Sequence, residues 1–394
     1  MTDIFHTFEE AQNFCLSFIS PEGAKERTLK RITTLMHLLG DPQKNLRTIH
    51  VTGSYGKSST AYMIASMLEQ KGFTVGLHTK PHLQSMTERI CINRTPIPND
   101  VFVRYGNKVK LAVEAMKEQP TYFELLVAIM LLYFSDNHVD VAVIEAGRGG
   151  RLDATNIGNS DMLVITNIYL VHTDILGATK KEILREKMGL ARTHTKIIAG
   201  VTQTPLQTYM RSLAKPIQAT VQFSVTEDSI TALSVPPDGE VQRSNVALAI
   251  CAAKNYTDLT DEQINAAFAS MKFPGRFEVQ QLGTNTIIMD SAHNKEKMCF
   301  LLIYLQQKYP NKKMTIILRQ KNTEEMRSFQ KILKPIAKMF LSVSLETIKN
   351  KQDIPVTEAI AYIKGRTDTL FLITGSMELI GKMRGGLSIP YTLK

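Results

Sequence analysis

The sequence has no tryptophan, only four cysteines, and no apolar run long enough to cross a bilayer. Each shortage excludes something. A transmembrane helix needs about 20 consecutive apolar residues, so no membrane-spanning segment and no membrane partner are expected. Cys15, Cys91, Cys251 and Cys299 are widely scattered and form no Cys-x-x-Cys pair. That spacing argues against a disulfide framework or a zinc site and predicts reduced thiols in a cytoplasmic protein. The opening MTDIFHTFEE is acidic and does not read as a secretory signal. Internal repeats and low-complexity segments are also missing.

What is present is an ordinary globular composition in 394 residues, enough for two domains. Lys and Arg number 47 against 37 Asp and Glu, a net charge of +10. The cations are spread along the chain and no nucleic-acid motif accompanies them, so a nucleic-acid partner is not expected. Anionic substrates such as ATP and carboxylates explain the balance economically. A basic proteome or plain solubility explains it equally well.

Residues 51 to 60 read VTGSYGKSST. This is a glycine-rich phosphate loop between a strand end at Ile49 to Val51 and a helical pattern over Ala61 to Glu69. Gly53 and Gly56 let the backbone turn and aim N–H groups at one point. Lys57 supplies a charge for phosphates, and Ser58 or Ser59 a hydroxyl for Mg²⁺. The glycines are three apart, a shortened Walker A spacing.

Strand and helix signals alternate through the rest of the chain. Strands are predicted at Thr74–His78, Val139–Glu145, Met162–Asn167, Lys196–Val201, Thr286–Asp290, Met314–Leu318, Phe340–Ser344 and Leu370–Thr374. Helices are predicted at Phe123–Phe134, Glu182–Ala191, Asn245–Lys254 and Asp261–Met271. The alternation implies an α/β fold with mainly parallel sheets covered by helices. Unbroken apolar strands such as VDVAVIE fit burial on both faces. Val221 to Val241 is more polar, carries a Pro-Pro-Asp-Gly turn, and is expected to be a hairpin flap or a small edge sheet. A domain boundary is expected near Met271 to Gly275, giving domains 1–272 and 273–394.

Four further segments carry chemistry. Glu145 sits at the carboxyl end of a buried strand, where open α/β sheets bind ligands. A carboxylate there needs a cation or metal nearby. Gly147, Gly149 and Gly150 follow it. His172 and Asp174 follow another strand end. Lys187 lies in a helical LREKMGLAR stretch. Arg276, Asp290 and His293 open the second domain. A phosphate site on one domain and an Arg and a His on the other suggest a cleft that closes during catalysis.

These segments, taken in order, resemble the folylpolyglutamate synthase/dihydrofolate synthase family of the Mur ligase superfamily. The resemblance rests on LLGDPQKNLRTIHVTGSYGKSS, VGLHTKPHLQSMTERICINRTPI, TYFELLVAIMLLYF, EAGRGGRLDATNI, HTDILG, REKMG, FPGRFE, DSAHN and ITGSMELIGKMR. It implies an N-terminal P-loop ATPase domain with a mainly parallel sheet and a smaller, Rossmann-like C-terminal α/β domain. It also implies a monomer whose substrates are a folate or pteroate and L-glutamate. ATP would phosphorylate a substrate carboxylate, and the amino group of L-glutamate would attack the acyl phosphate.

By the same resemblance, Gly53, Ser54, Gly56 and Lys57 would hold the ATP phosphates. Ser58 or Ser59 and Glu145 would hold one Mg²⁺, and Glu145 and His172 would touch a second. Lys187 aligns with a lysine that is carbamylated and binds metal. Asn245 would lie near adenine, Arg276 near phosphate, Asp290 near the ribose and His293 near the reacting centre. Thr79, Lys80, Pro81, His82, Arg148 and Asp153 would face the substrate.

The departures from the family pattern gather at these places. Tyr55 replaces an Asn and Ser58 a Gly in the phosphate loop. Lys80 replaces a Ser, Arg148 an apolar residue, Val171 an Asp, Ser291 a Gly and Lys295 a Pro. Gln320-Lys321-Asn322 lacks two carboxylates. The cations Lys80, Arg148 and Lys295 would suit a more acidic substrate, such as one already carrying several glutamates. Two alternatives stand beside a folate ligase: a ligase of the same chemistry on another carboxylate or amino acid, and a nucleotide-binding paralogue without catalysis.

Overall fold

In a computed structural model of the chain, residues 4–19, 26–224, 240–319, 323–345 and 353–390 are described. They fall into two compact units. The first takes residues up to 80, 86 to 224 and 240 to 270; the second takes 81 to 85 and those from 271 onward.

The first unit is built on eight strands: β1 (Thr48–Thr52), β2 (Val75–His78), β3 (Ile90–Ile92), β4 (Thr95–Pro96), β5 (Val141–Glu145), β6 (Met162–Ile165), β7 (Lys196–Ala199) and β8 (Thr220–Phe223). Their order in the sheet is β4-β3-β2-β5-β1-β6-β7-β8. All neighbours are parallel except the β2–β3 and β3–β4 pairs. Every residue of β1, β2, β5 and β6 is buried, as strands covered on both faces require. The helix Tyr122–Asp136 has eleven buried residues and lies within one apolar cluster with Phe102, Val109 and Ile144. Thr121 starts it with a capping box closed by Glu124. A second cluster joins Leu163, Ile165 and Ile197 to Leu184 and Leu206.

The second unit has six strands: β9 (Glu278–Leu282), β10 (Asn285–Asp290), β11 (Met314–Leu318), β12 (Ala337–Ser344), β13 (Ile354–Pro355) and β14 (Leu370–Thr374). The order is β13-β12-β11-β14-β10-β9, and only β9 runs antiparallel to its neighbour.

The eight expected strands all form, with shifts at their ends. The strand expected at Val139–Glu145 starts at Val141, and the one expected at Met162–Asn167 stops at Ile165. The helix expected at Glu182–Ala191 runs from Lys180 to Met188, because Thr179 and Glu182 form a capping box. The expected Asp261–Met271 helix ends at Ala269. Residues 220–223 form a parallel edge strand on β7. The rest of the polar stretch, and Gln320-Lys321-Asn322, lie outside the described residues. The helices Phe8–Ser17 and Lys30–Leu38 and the β3–β4 hairpin were not expected. Asn93 and Arg94, both at positive φ, turn that hairpin. Arg lacks the usual glycine signal for this turn, and its ion pair with Glu69 at 2.9 Å holds it there.

Candidate active site

Parallel pairing places the chemistry at the carboxyl ends of the strands. Val51 is in register with Glu145, and Thr52 with Ile165. The phosphate loop leaves β1 immediately after these residues, and the helix Lys57–Gln70 follows it. Gly53 has φ 145°, and a β-carbon there would overlap Thr166 Oγ1. Gly56 caps the helix at φ 78°, a left-handed conformation that suits glycine.

The neighbouring strand end holds the loop. Beyond the end of β6 at Ile165, the side chains of Thr166 and Asn167 turn to the loop. Thr166 Oγ1 donates to the Tyr55 carbonyl at 2.5 Å, and the Tyr55 N–H donates to Asn167 Oδ1 at 2.9 Å. Ser54 N–H donates to the Asn167 carbonyl at 3.0 Å. The sequence reading missed Asn167 as a loop anchor; its place beyond an apolar strand was the available signal.

A cleft of about 260 Å³ opens over the loop, lined by Gly53, Lys57, Lys80, Glu145, His172 and Lys187 together with Ser54, Gly147, Arg148 and Gly149. Lys57 Nζ donates to the Gly53 carbonyl at 3.2 Å. Lys187 Nζ donates to the same carbonyl at 2.9 Å. Lys187 is only 2% exposed. Burial, then the charges of Lys57 and Lys80, bring its ammonium down to about 7, against the opposing pull of Asp153.

The GGRLDATN loop locates Lys187. Arg151 N–H donates to the Glu186 carbonyl at 2.7 Å, and the Arg151 guanidinium pairs with Glu186 at 2.8 Å. A β-carbon on Gly150 would lie 2.8 Å from the Glu186 carbonyl oxygen, so glycine permits this approach. Asp153 turns inward: it accepts from the Gly147 N–H at 2.7 Å and from Thr155 Oγ1 at 2.7 Å.

Ser58 Oγ donates to the Lys80 carbonyl at 3.2 Å, and Ser59 is buried beside it in sequence. His172 lines the cleft with an exposed side chain; loss of some hydration and the charges of Arg148 and Lys57 favour its neutral form. Arg148 is exposed, its carbonyl accepting from Arg27 at 3.0 Å. Asn245, on the helix Glu240–Tyr256, packs on the loop so closely that a β-carbon on Gly56 would be 2.5 Å from its Nδ2. The expected substrate segment is divided. Thr79 and Lys80 belong to the first unit, while Pro81 and His82 belong to the second.

The second unit carries its own cluster. Asp290 ends β10 and is buried; one oxygen accepts from Phe277 N–H at 3.0 Å, the other from Ala292 N–H at 2.8 Å. Burial raises the pKa of its carboxyl, against the nearby Arg276 and those two bonds. Arg276 donates to Ser291 Oγ at 2.6 Å. His293 Nδ1 contacts the Ser291 carbonyl at 2.8 Å, and its Nε2 faces Lys297 Nζ at 3.3 Å. Burial and then Lys297 favour neutral His293.

The model of the Mur ligase middle domain matches residues 51–281. The chain is 30% identical to the dihydrofolate synthase/folylpolyglutamate synthase of Bacillus subtilis, over 90% of this chain and 94% of that one. It is 35% identical to the folylpolyglutamate synthase of Lacticaseibacillus casei, over 73% and 74%. The chain belongs to the folylpolyglutamate synthase/dihydrofolate synthase family. A solved FPGS–AMPPCP–folate complex has the same fold, with a TM-score of 0.82 at 29% identity over 97% of this chain and 99% of that one. The two α/β units are therefore those of a Mur-ligase fold. Among the described residues, no helix is long and apolar enough to cross a membrane.

Proposed function

We propose that the chain is an ATP-dependent ligase that adds L-glutamate to a folate or pteroate carboxylate. The observation that carries this reading is the single cleft lined by phosphate-loop Gly53 and Lys57 together with Glu145 and Lys187. A carboxylate oxygen of the acceptor attacks the γ-phosphorus of ATP, the bond to the bridging oxygen breaks, and ADP leaves. The glutamate amine then attacks the acyl carbon, loses a proton and expels phosphate, leaving an amide. Negative charge is concentrated in both steps. Lys57 and the loop N–H groups neutralise it without reorganising, which is where such sites gain most of their rate.

Mg²⁺ fits beside the loop. It needs only one or two protein carboxylates when phosphates supply the remaining ligands. Glu145, with Ser58 or Ser59, meets that need, and when bound the ion would screen phosphate from carboxylate. Among the described residues, no three His, Cys, Asp or Glu side chains converge.

Lys187 supports the carbamate reading through its lowered basicity. The neutral amine adds CO₂ and releases a proton, leaving an anion on a chain that otherwise presents a cation. Arg276, Asp290 and His293 are proposed to serve the nucleotide and the reacting centre, Asn245 the adenine side, and Thr79–His82 with Arg148 and Asp153 the acceptor.

The test is nucleotide turnover by the purified full chain. ADP release should require both L-glutamate and either dihydropteroate or a reduced folate. Release indifferent to both would remove the proposed reaction.

A further inference from the structure

Two tyrosines adjoin the cleft along the chain. Tyr55 lies in the phosphate loop, where the family pattern has Asn, and is half-buried. Tyr169 lies beyond the end of β6 and is 45% exposed, beside Leu170 at 54%. Their ring centroids are 5.6 Å apart, with the planes tilted by 49°. Both main chains are fixed. The Tyr55 carbonyl accepts from Thr166 Oγ1 at 2.5 Å and from Asn167 Nδ2 at 3.2 Å, and its N–H donates to Asn167 Oδ1 at 2.9 Å. Tyr169 N–H donates to Ser54 Oγ at 2.9 Å, and Ser54 Oγ lies 3.2 Å from the Tyr169 carbonyl oxygen. Lys180 Nζ is 6.0 Å from the Tyr169 centroid, at the outer limit of attraction between a cation and a ring.

The chain leads from this pair into the cleft on both sides. Gly53 and Ser54 line the cleft just before Tyr55, and Val171 and His172 line it just after Leu170. At about 260 Å³ the cleft is smaller than the usual small-molecule pocket of about 300–1,000 Å³. ATP or a folate that reacts there must therefore carry its ring end outside. A tyrosine presents a broad ring face with few rotatable bonds, and a pair already pinned in place loses little freedom when a ligand lies on it. We propose that Tyr55 and Tyr169 form an aromatic subsite that takes a planar ring of a bound substrate, either the adenine of ATP or the ring system of the acceptor. The inference rests on the ligase reading of the cleft and deepens it.

The test measures binding to the full-length protein by titration calorimetry. The probes are AMPPCP, dihydropteroate with AMPPCP saturating, and inorganic triphosphate, which keeps the phosphate contacts but has no ring. Tyr169→Ala and Tyr55→Asn should each weaken the same ring-bearing ligand by about tenfold or more and leave triphosphate unchanged. Tyr169→Phe should bind as wild type does. A loss seen with AMPPCP assigns the subsite to adenine; a loss seen only with dihydropteroate assigns it to the acceptor. Unchanged affinity for both, or an equal loss for triphosphate, would overturn the proposal and leave the ligase reading intact. Failure of wild type to bind AMPPCP would overturn the ligase reading and the proposal with it. If Tyr169→Ala does not fold, Tyr169→Trp decides, because the sequence has no other tryptophan. Its emission should change with a ring-bearing ligand and not with triphosphate; emission indifferent to AMPPCP and dihydropteroate alike would overturn the proposal.

Discussion

Lys187 Nζ donates to the Gly53 carbonyl at 2.9 Å across 134 positions of sequence. The bond joins the helix Lys180–Met188 to the first residue of the phosphate loop. A buried amine is costly to keep charged, and this one gains a single carbonyl in return. Its arrangement suits a group that is modified or neutral during the reaction.

Lys187→Ala should therefore lose ligase activity while still folding. A short-chain carboxylate such as acetate or formate, supplied in solution, should restore part of it. Full activity of the variant without rescue would show that no carbamate contributes.

Lys57→Ala should abolish ATP turnover. Removing one preorganised cation or donor of this type costs about 3–4 kcal/mol, a loss of 10²–10³ in rate. Loss of single-turnover ADP formation with an unchanged melting profile would establish this. Unchanged turnover would contradict the loop assignment.

Gly56→Ala should lower stability through both the dihedral and the contact with Asn245. A left-handed backbone costs a residue with a β-carbon about 1–2 kcal/mol. Denaturant titration of Gly56→Ala alone and with Asn245→Ala measures both parts. The double variant should recover some of the loss if Asn245 sets the contact.

Acid should destabilise the first unit through two buried histidines. His50 contacts Ser160 Oγ and the Thr155 carbonyl, and burial holds it down to about 4. Burial, with Lys80 and Arg89 adding to it, holds His78 down to about 3. Both protonate near 6.5 when the chain unfolds. Between pH 6.5 and 4 the unfolded state therefore binds more protons, and stability falls as pH falls. The slope should reach about 1.4 kcal/mol per pH unit for each histidine. Folded His50→Gln should have a shallower acid limb; an unchanged limb would remove His50 from this account.

Much of this was legible in the sequence because strand, glycine turn and helix follow each other locally. The phosphate loop, Glu145 at the end of β5 and Lys187 on its helix needed only pattern and family resemblance. The position of Lys80 over Phe123 did not follow, because the two residues are distant in sequence and join only through folding. The division of Thr79–His82 was hidden for a similar reason. Leu83 packs in the second unit's core with Ile380, and nothing local to the segment announces that. Thr166 and Asn167 read as strand continuation because their apolar neighbours did; the loop they anchor lies more than 100 residues earlier.

The central claim is glutamate ligation, and mass spectrometry of the products tests it most directly. The purified protein is incubated with MgATP and L-glutamate, and separately with dihydropteroate or tetrahydrofolate. The account predicts an acceptor heavier by one glutamyl unit, formed only when ATP is present. Bound ATP with neither acceptor extended would contradict it.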